Sequence, residues 1–266
     1  MKPRSIVFDL FGDYVRYHGG RLRLRALTDL MGIFGYSAPT VRMTMSRMRR
    51  EGWFEARRVG RETRHELNAK SLDLLNEGRE RIFTRLREPW DGRWSMVIYS
   101  VPESGRPTRE RLRKALSWLG FGPLAPATWI CPHDRLAAVT AFAEVGPVRL
   151  DLLTMSTSGL AADRELAARC WDLAALNSDY EAFIAAYGPQ LARYRRSQIE
   201  GRPAFQERMR LIHDYRKFPF RDPDLPIELL PEGWFGHEAH EVFTEAHKLL
   251  QEPAERFYLE VAGRDG

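Results

Sequence analysis

Arginine is concentrated in one stretch of the sequence, residues 40–67, which reads TVRMTMSRMRREGWFEARRVGRETRHEL. The stretch holds eight arginines and only four acidic residues, and Gly52 and Gly60 divide it. A guanidinium group presents its N–H donors in a planar fork, so it can make two parallel hydrogen bonds to a phosphate or to a guanine edge. Arginines in this number therefore indicate a polyanionic partner.

The net charge of +5 is spread unevenly over the 266 residues. Residues 1–88 carry 19 basic and 11 acidic side chains, a net charge of +8, whereas the remainder carries −3. Clustered cations release condensed counterions when they meet phosphates, so we expect the first third of the chain to contact nucleic acid. The alternative is a solvated face on which Glu51, Glu55 and Glu62 neutralise the arginines.

The spacing of apolar residues predicts the elements that carry these arginines. It indicates a helix over 5–20, a short extended start and then a helix within 21–35, a third helix over 39–51, and two strands around a turn at Gly60. Ser37 is placed to cap the third helix, and Pro39 suits its first turn. This order of elements is that of a winged helix-turn-helix.

On the third helix, Val41, Met45 and Met48 share one face, which we expect to pack on the first two helices. The opposite face and the hairpin supply the predicted DNA-contacting residues, which are Thr40, Arg42, Met43, Ser46, Arg47, Arg50, Arg58, Arg61 and Arg64. In a helix lying in the major groove, Arg42 and Arg47 are expected to pair with guanine. Arg61, at the turn, is expected to reach a minor groove or phosphates.

The rest of the chain changes character after a linker at residues 89–92. The spacing of apolar residues over 94–155 predicts strands and helices in the order β-α-β-β-α-β, which is that of a small ferredoxin-like domain. From residue 158 onward the pattern is helical, with a break expected at Asn177–Ser178 and a proline-rich, extended segment at 218–236. The predicted class is α+β, with a winged helix-turn-helix domain (1–88), a ferredoxin-like domain (89–158) and an all-helical C-terminal domain (159–266).

The chain resembles the PaaX family of bacterial transcriptional repressors. The resemblance lies in SIVFDLFGDYV near the start, VRMTMSRMRREGW, WSMVIYSVPE with RERLRKALSWLGFG, and HDYRKFPFRDPDLPIELLPEGWFG near the end. It implies a homodimer that represses a phenylacetate-type catabolic operon by binding its operator DNA. It also implies release by a CoA thioester, phenylacetyl-CoA in the best-known members, and a cytoplasmic, nucleoid-associated protein.

The central domain of this family resembles small CRISPR-associated nucleases, which place a metal-binding aspartate at the end of the first strand. Here Ser100 occupies that end, and Glu103 is a single nearby carboxylate, which is thin support for a magnesium site. A scaffold or dimer contact is the preferred interpretation. An RNA-binding protein or metal-dependent nuclease is kept as the alternative, and a purely structural partner protein as a third. No nucleophile–base pair, phosphate loop or cofactor motif is apparent, so we predict neither an enzyme nor a bound cofactor.

CoA carries phosphates and a flat adenine, so cations among aromatic rings are candidates for binding it. The candidate effector-binding residues are Arg216, Lys217, Arg221, Trp171 and Trp234. Large aromatic residues are more often part of a core, and Arg221, Asp222 and Asp214 are as well suited to an internal salt-bridge network, which is the preferred interpretation.

His237, His240 and His247 share a helix face, but they lack the H-E-x-x-H spacing of zinc proteases. We expect them to pack and predict no metal site. Cys131 and Cys170 are expected to be buried free thiols of a reducing compartment. No apolar run approaches the roughly 18 residues of a membrane span, and Asp9, Asp13 and Arg16 interrupt the first 20 residues, so neither a membrane contact nor a signal peptide is expected.

Overall fold

The computed structural model describes residues 1–60, 62–84, 89–143, 148–196 and 199–263, with only the backbone given for 141–143. The chain forms two compact units. The first comprises Met1–Thr84, Glu181–Lys217 and His237–Gly266, and the second comprises Arg85–Tyr180 and Phe218–Gly236. Each unit is therefore assembled from segments that are far apart in the sequence, whereas the three-domain division predicted above follows the sequence order and stays a prediction.

The N-terminal part of the first unit has the predicted order of elements. They are α1 (Pro3–Asp13), β1 (Arg21–Arg23), α2 (Leu24–Gly32), α3 (Ala38–Arg50), β2 (Phe54–Val59), β3 (Glu62–Leu67) and α4 (Ala69–Phe83). The three strands form an antiparallel sheet in the order β1-β3-β2, in which His65 lies opposite both Leu22 and Ala56. The fold class predicted from the sequence, α+β, is confirmed.

The first helix is shorter than predicted. It ends at Asp13 because Tyr14 leaves the helical conformation, with φ −130°, and the chain passes through a single 3-10 turn, Val15–Tyr17. Gly19 and Gly20 then adopt positive φ and lead the chain into β1. Tyr17, which the longer helix would have turned inward, is 52% exposed.

Local signals fix both ends of α3. The Ser37 hydroxyl accepts a hydrogen bond from the Thr40 amide at 3.5 Å, and Pro39 lies in the first turn, where its missing N–H costs nothing. Gly52, with φ +75°, ends the helix in a conformation that residues with a side chain rarely adopt. Val41, Met45 and Met48 are buried, as predicted, and hold α3 against the rest of the unit.

Helices from the C-terminal half complete the first unit. They are the second half of α8 (Leu173–Arg196), α9 (Gly201–Tyr215), α10 (Gly236–Leu249, which enters the unit at residue 237) and α11 (Gln251–Gly263). Helix α9 packs on α1 and α11, and α11 also packs on α2. Tyr14 joins the two parts of the sequence, since its ring stacks on Tyr258 at 5.1 Å and lies 5.3 Å from Phe205.

Two carboxylates of α1 are buried among cations of the C-terminal helices. Asp13 accepts hydrogen bonds from Arg208 at 2.6 and 3.1 Å and lies 2.9 Å from His247 Nε2. Asp9 lies 2.7 Å from His213 Nδ1 and also forms an ion pair with Arg216. These polar contacts are satisfied only when segments about 200 residues apart have come together.

The second unit contains β4 (Trp94–Ser100), α5 (Arg106–Trp118), β5 (Gly122–Ala125), β6 (Thr128–Cys131), α6 (Leu136–Ala143), β7 (Arg149–Met155), α7 (Leu160–Cys170) and the start of α8. The sheet is antiparallel with strand order β5-β6-β4-β7, so the predicted β-α-β-β-α-β order is confirmed. The unit contains two apolar clusters. One is formed by Trp94 with residues of α7 and the start of α8, and the other by Val97 with residues of α5.

The helical break predicted at Asn177–Ser178 is wrong. The chain breaks at Trp171 and Asp172, where the Asp172 carboxylate accepts a hydrogen bond from the Ala175 amide and so caps α8. Asn177 lies inside α8, and its side chain is used elsewhere: it donates to the Gly233 carbonyl at 3.0 Å and accepts from the Phe235 amide at 2.7 Å. The proline-rich segment 218–236, predicted to be extended, instead has 3-10 turns at Phe218–Phe220 and Ile227–Leu229, joined by turns and residues without regular secondary structure.

Candidate nucleic-acid interface

One face of α3 is exposed and rich in arginine. We call it the arginine face, and its residues are Arg42, Met43, Ser46, Arg47 and Arg50, all of them exposed. Met43 is 68% exposed, unusual for a large apolar side chain but suited to contact with a thymine methyl group. Thr40, at the start of the helix, is half-buried, and its hydroxyl lies 3.0 Å from that of Ser37.

Most cations of α3 have no acidic partner. Within the described ranges, Arg42, Arg49 and Arg50 form no ion pair, and Arg47 pairs with Glu51, Nε to Oε1, at 3.0 Å. The hydrogen bond from Arg47, against the opposing effect of burial and with the help of Arg4 and Trp53, lowers the pKa of Glu51, so this carboxylate is ionised. The surface that α3 presents is therefore positive, and a single carboxylate at its C-terminal end offsets it.

The arginines of the hairpin are distributed differently. Arg58 is exposed and donates to the Gly60 carbonyl at 3.3 Å, whereas Arg64 is partly buried and pairs with Glu66 at 3.1 Å. Arg57 pairs with the same Glu66 at 3.3 Å. The predicted alternative of acid-neutralised arginines thus describes part of the hairpin. Arg61, predicted to lie at its tip, falls outside the described residues.

Two groups of cations were not identified from the sequence. Arg49 is exposed beside the arginine face, but the helical wheel placed it off the predicted face. In the second unit, α5 carries the exposed cations Arg106, Arg111, Arg113 and Lys114. Its sequence, RPTRERLRK, is as basic as that of α3, and this density of charge was the available signal.

The buried histidine of the hairpin, His65, lies in β3 and is 5% exposed. Its Nδ1 is buried and has no hydrogen-bond partner in the part of the chain that the structure describes. Burial, and then the charge of Arg49, lower the pKa of His65 to about 4. The imidazole is therefore neutral in the folded protein at pH values where it would be charged in the unfolded chain.

We expect the free energy of unfolding of the wild-type protein to fall as the pH is lowered from about 6.5 towards 4. In this range His65 is protonated in the unfolded chain but stays neutral in the folded protein. His65→Leu should remove this contribution and flatten the stability curve in that pH range. Urea unfolding at half-unit pH steps measures the effect. An equal slope for the wild type and His65→Leu would show that His65 does not titrate as proposed.

The candidate effector-binding cations are each engaged with an acidic group. Within the first unit, Arg216 pairs with Asp9, and Lys217 Nζ lies 2.7 Å from Asp214. Within the second, Arg221 pairs with Asp179 at 2.5 Å. The sequence predicted a salt-bridge network that joins Arg221, Asp222 and Asp214. In the structure Arg221 pairs with Asp179 and Asp214 with Lys217, and Asp222 accepts a hydrogen bond from the Tyr180 hydroxyl at 2.6 Å.

The two candidate tryptophans belong to the core of the second unit. Trp171 and Trp234 both pack against the cluster around Trp94, and Trp171 stacks on Trp94 with ring centroids 6.4 Å apart. The structure therefore brings these two tryptophans to one cluster, with Arg221 in the same unit, while Arg216 and Lys217 belong to the other unit.

The three histidines of α10 have separate surroundings. His240 Nδ1 lies 2.9 Å from the Tyr215 hydroxyl, His247 contacts Asp13, and His237 is exposed. Across the described ranges, no group of three or more histidine, cysteine or acidic side chains could hold a metal ion. Within the same residues, no helix is long and apolar enough to cross a membrane.

The cysteines are free and buried, as predicted. Burial raises the pKa of the Cys131 thiol to about 12 and that of Cys170 to about 11, which makes both unreactive at neutral pH. At the end of β4, Ser100 and Glu103 are exposed, and Asp151 lies further along the sheet, opposite Ile98. Ser100 therefore stands where a nuclease of the related fold would need a carboxylate.

Comparison with known proteins defines the class of protein to which this architecture belongs. Family models for the PaaX-like protein, the PaaX protein central Cas2-like domain and the PaaX-like protein C-terminal domain match residues 2–71, 87–167 and 171–260. The uncharacterized protein Rv0674 from Mycobacterium tuberculosis has the same fold, with a TM-score of 0.64 at 21% identity over 96% of this chain and 98% of its own. The three family models together match most of the chain, and the structural match shows the fold.

The transcriptional repressor PaaX of Escherichia coli (strain K12) is 30% identical over 263 residues, which are 96% of this chain and 83% of the relative. The chain belongs to the PaaX family of transcriptional repressors. This membership supports a regulatory role and not an enzymatic one.

Proposed function

We propose that this protein is a repressor that binds operator DNA through the arginine face of α3, with the β2–β3 hairpin acting as the wing of a winged helix-turn-helix. One observation carries the proposal: Arg42, Arg47 and Arg50 are exposed together on one helix, and only Arg47 has an acidic partner among the described residues. A helix of this kind fits the major groove, where arginine pairs with guanine O6 and N7.

The repressor acts as a homodimer in this proposal. Two copies of α3 separated by one turn of DNA, about 34–36 Å, read the two halves of a pseudopalindromic operator. The regulated genes are those of a phenylacetate-type aromatic-acid catabolic operon, and an aryl-acyl-CoA thioester releases the DNA. The thioester must bind more tightly to a dimer whose recognition helices are misaligned, because a ligand shifts an equilibrium only by its differential affinity. Family membership supports this part of the proposal.

Selection of bound sequences from a random duplex library tests the DNA-binding proposal and identifies the operator in the same experiment. We expect a pseudopalindromic consensus, and affinity for it that falls steeply with salt because several phosphates are contacted. Titrating the complex with phenylacetyl-CoA, other acyl-CoA thioesters and the free acids should release the DNA with an aryl-acyl thioester. Recovery of no consensus contradicts the repressor assignment, and failure of every thioester to release the DNA contradicts only the effector.

The cationic helix α5 of the Cas2-like domain supports the second candidate, an RNA-binding protein or metal-dependent nuclease. Its exposed Arg106, Arg111 and Arg113 are as free for phosphate contacts as those of α3. The same preparation should then prefer structured RNA or single strands over duplex DNA and cleave them when Mg²⁺ is added. Tight binding to one duplex sequence, with no cleavage, decides for the repressor.

A further inference from the structure

The first unit contains a cavity of about 480 Å³ that none of the predicted site residues lines. We call it the Tyr14 cavity. Its walls come from the end of α1, the adjoining 3-10 turn, the end of α4, and helices α9, α10 and α11. A volume in this range is typical of small-molecule sites, which commonly measure about 300–1,000 Å³.

The Tyr14 hydroxyl has no hydrogen-bond partner in the described part of the chain, although Tyr14 is only 1% exposed. Buried polar groups in native proteins are nearly always paired, so an unpaired one calls for an explanation, and a missing ligand is one. Burial raises the pKa of Tyr14 well above its ordinary value, so the hydroxyl keeps its proton and can donate it. Tyr14 itself lines the cavity, together with Asp13, Arg208 and Glu255.

Both acids that line the cavity already have a partner. Asp13 is held by Arg208 and His247, and Glu255 lies 3.0 Å from His18 Nε2. What stays available is a phenolic donor at Tyr14 and two exposed cations, Arg79 and Lys248. This set of groups suits a ligand that accepts hydrogen bonds and carries negative charge.

Aromatic rings form much of the remaining wall. Tyr17 and Phe83 line the cavity together with Tyr14, and the Arg79 guanidinium lies over both rings, 5.5 Å from Tyr17 and 5.3 Å from Phe83. Arg79 also donates a hydrogen bond to the Tyr17 hydroxyl. A cavity lined by aromatic rings, a cation and a hydroxyl can bind a ligand that has both a flat aromatic group and an anionic group.

We propose that the Tyr14 cavity binds an aryl-acyl group, whose carbonyl oxygen accepts a hydrogen bond from Tyr14 and whose anionic portion lies against Arg79 and Lys248. The inference rests on the proposed function, because it assigns the effector of the repressor to this cavity. Two sources share the chemistry, a free arylacetic acid and its CoA thioester. In the free acid the anionic portion is the carboxylate, and in the thioester it is the phosphates of the CoA portion.

The position of the cavity connects it to the recognition helix. Helix α11 contributes to its wall and packs on α2, and α2 packs on α3. A ligand that shifts α11 would therefore displace α3 through two successive packing contacts. Because α1 and α4 also line the cavity, the ligand touches both the N-terminal and the C-terminal parts of the unit.

Calorimetric titration of the full-length protein with phenylacetyl-CoA, phenylacetate and CoA tests the inference. We expect the thioester or the acid to bind and CoA alone to bind weakly, and the better of the first two identifies the source. Tyr14→Phe should weaken that binding about three- to tenfold, the loss of one hydrogen bond, with an unchanged melting temperature because the hydroxyl has no protein partner to lose. Arg79→Ala should weaken binding by a similar factor.

Tyr187→Phe is the matched control, since its hydroxyl donates to Asp214 at 2.8 Å and does not line the cavity. It should lower the melting temperature and leave the affinity for the ligand unchanged. Lys217→Ala and Arg221→Ala test the effector residues predicted from the sequence and should also leave the affinity unchanged.

Unchanged affinity in both Tyr14→Phe and Arg79→Ala, or loss of binding in Lys217→Ala or Arg221→Ala instead, overturns the cavity assignment. If phenylacetyl-CoA still releases DNA from those cavity variants as it does from the wild type, the proposed function stands without the cavity. If none of the three probes binds the wild type, the cavity assignment and the effector both fail, while the duplex selection still decides whether the protein is a repressor.

Discussion

Replacing Arg42 or Arg47 with alanine is expected to lower sharply the discrimination between the operator and random duplex DNA. Each arginine is exposed on α3 and fits a bidentate contact with one guanine, and such a contact contributes about 1–3 kcal/mol of discrimination. At two half-sites per dimer the loss doubles, so the specificity ratio should fall by roughly 30-fold to 10⁴-fold. Arg42 has no ion pair in the described residues, so nothing has to be broken before it reaches DNA.

To contact a guanine, Arg47 must give up its ion pair with Glu51, and the free energies of the two contacts favour this exchange. Its pair with Glu51 is at the surface, with the Arg47 side chain 73% exposed, and surface ion pairs contribute little to stability. A guanine contact contributes more than this. Glu51 is not left alone when Arg47 leaves, because Arg4 and Trp53 also donate to it.

Competition binding with selected and scrambled duplexes measures the effect. Arg256→Ala is the matched control, since it removes one exposed arginine of the same unit whose pair with Glu200 is 3.4 Å long. Arg58→Ala and Arg61→Ala, in the hairpin, should weaken binding to all sequences equally and reduce the salt dependence. Equal losses on both duplexes for Arg47→Ala would show that it contacts phosphate and does not read a base.

Asp13→Ala is expected to destabilise the first unit by about 3–5 kcal/mol, the usual cost of removing one member of a buried ion pair. The side chains of Asp13 and Arg208 are each 5% exposed, so the substitution leaves a buried guanidinium without its counter-charge. His247 loses its carboxylate partner as well. A loss of this size is comparable to the whole stability of many domains.

The same pair gives an acid limit. Burial alone would raise the pKa of Asp13, but attraction and hydrogen bonds from His247 and Arg208 outweigh it and hold the pKa well below its ordinary value. An unfolded aspartate takes up a proton near pH 4 and the folded one does not. The stabilisation by Asp13 is therefore complete above about pH 4 and is lost progressively as the pH falls below that value.

Urea unfolding at neutral pH and at pH 3 measures both effects. Glu245→Ala is the control, because Glu245 makes two short hydrogen bonds to Arg195 in the same unit but is exposed, so its loss should cost no more than about 1 kcal/mol. If Asp13→Ala costs no more than Glu245→Ala, the buried pair does not hold the unit together.

The elements of the first 70 residues were predictable because their signals are local. Ser37, Pro39 and Gly52 fix the ends of α3 within a few residues, and the spacing of Val41, Met45 and Met48 identifies its buried face. The exposed arginine face follows from the same helical wheel. The ferredoxin-like order of strands was equally local, since each strand is a short apolar run between turn residues.

The partners of buried charges were not predictable. Asp9 and Asp13 interrupt the apolar pattern of the first 20 residues, but nothing nearby in the sequence indicates that His213, Arg208 and His247 would meet them. The helical break at Asp172, in place of the one expected at Asn177–Ser178, was not predictable either, because Asn177 makes its contacts inside α8 with residues near 233. The Tyr14 cavity was not predictable for the same reason, because its walls come from both ends of the chain.

The discontinuous make-up of the first unit has a consequence for biosynthesis. Asp13 and His247 are 234 residues apart, which at a translation rate of roughly 5–20 residues per second separates their emergence from the ribosome by about 12–47 s. For most of that interval α1 is present without α9, α10 and α11, and its carboxylates and aromatic residues are open to chaperones and proteases. A nascent or prematurely terminated chain would thus carry the arginines of α3 on an unfinished support.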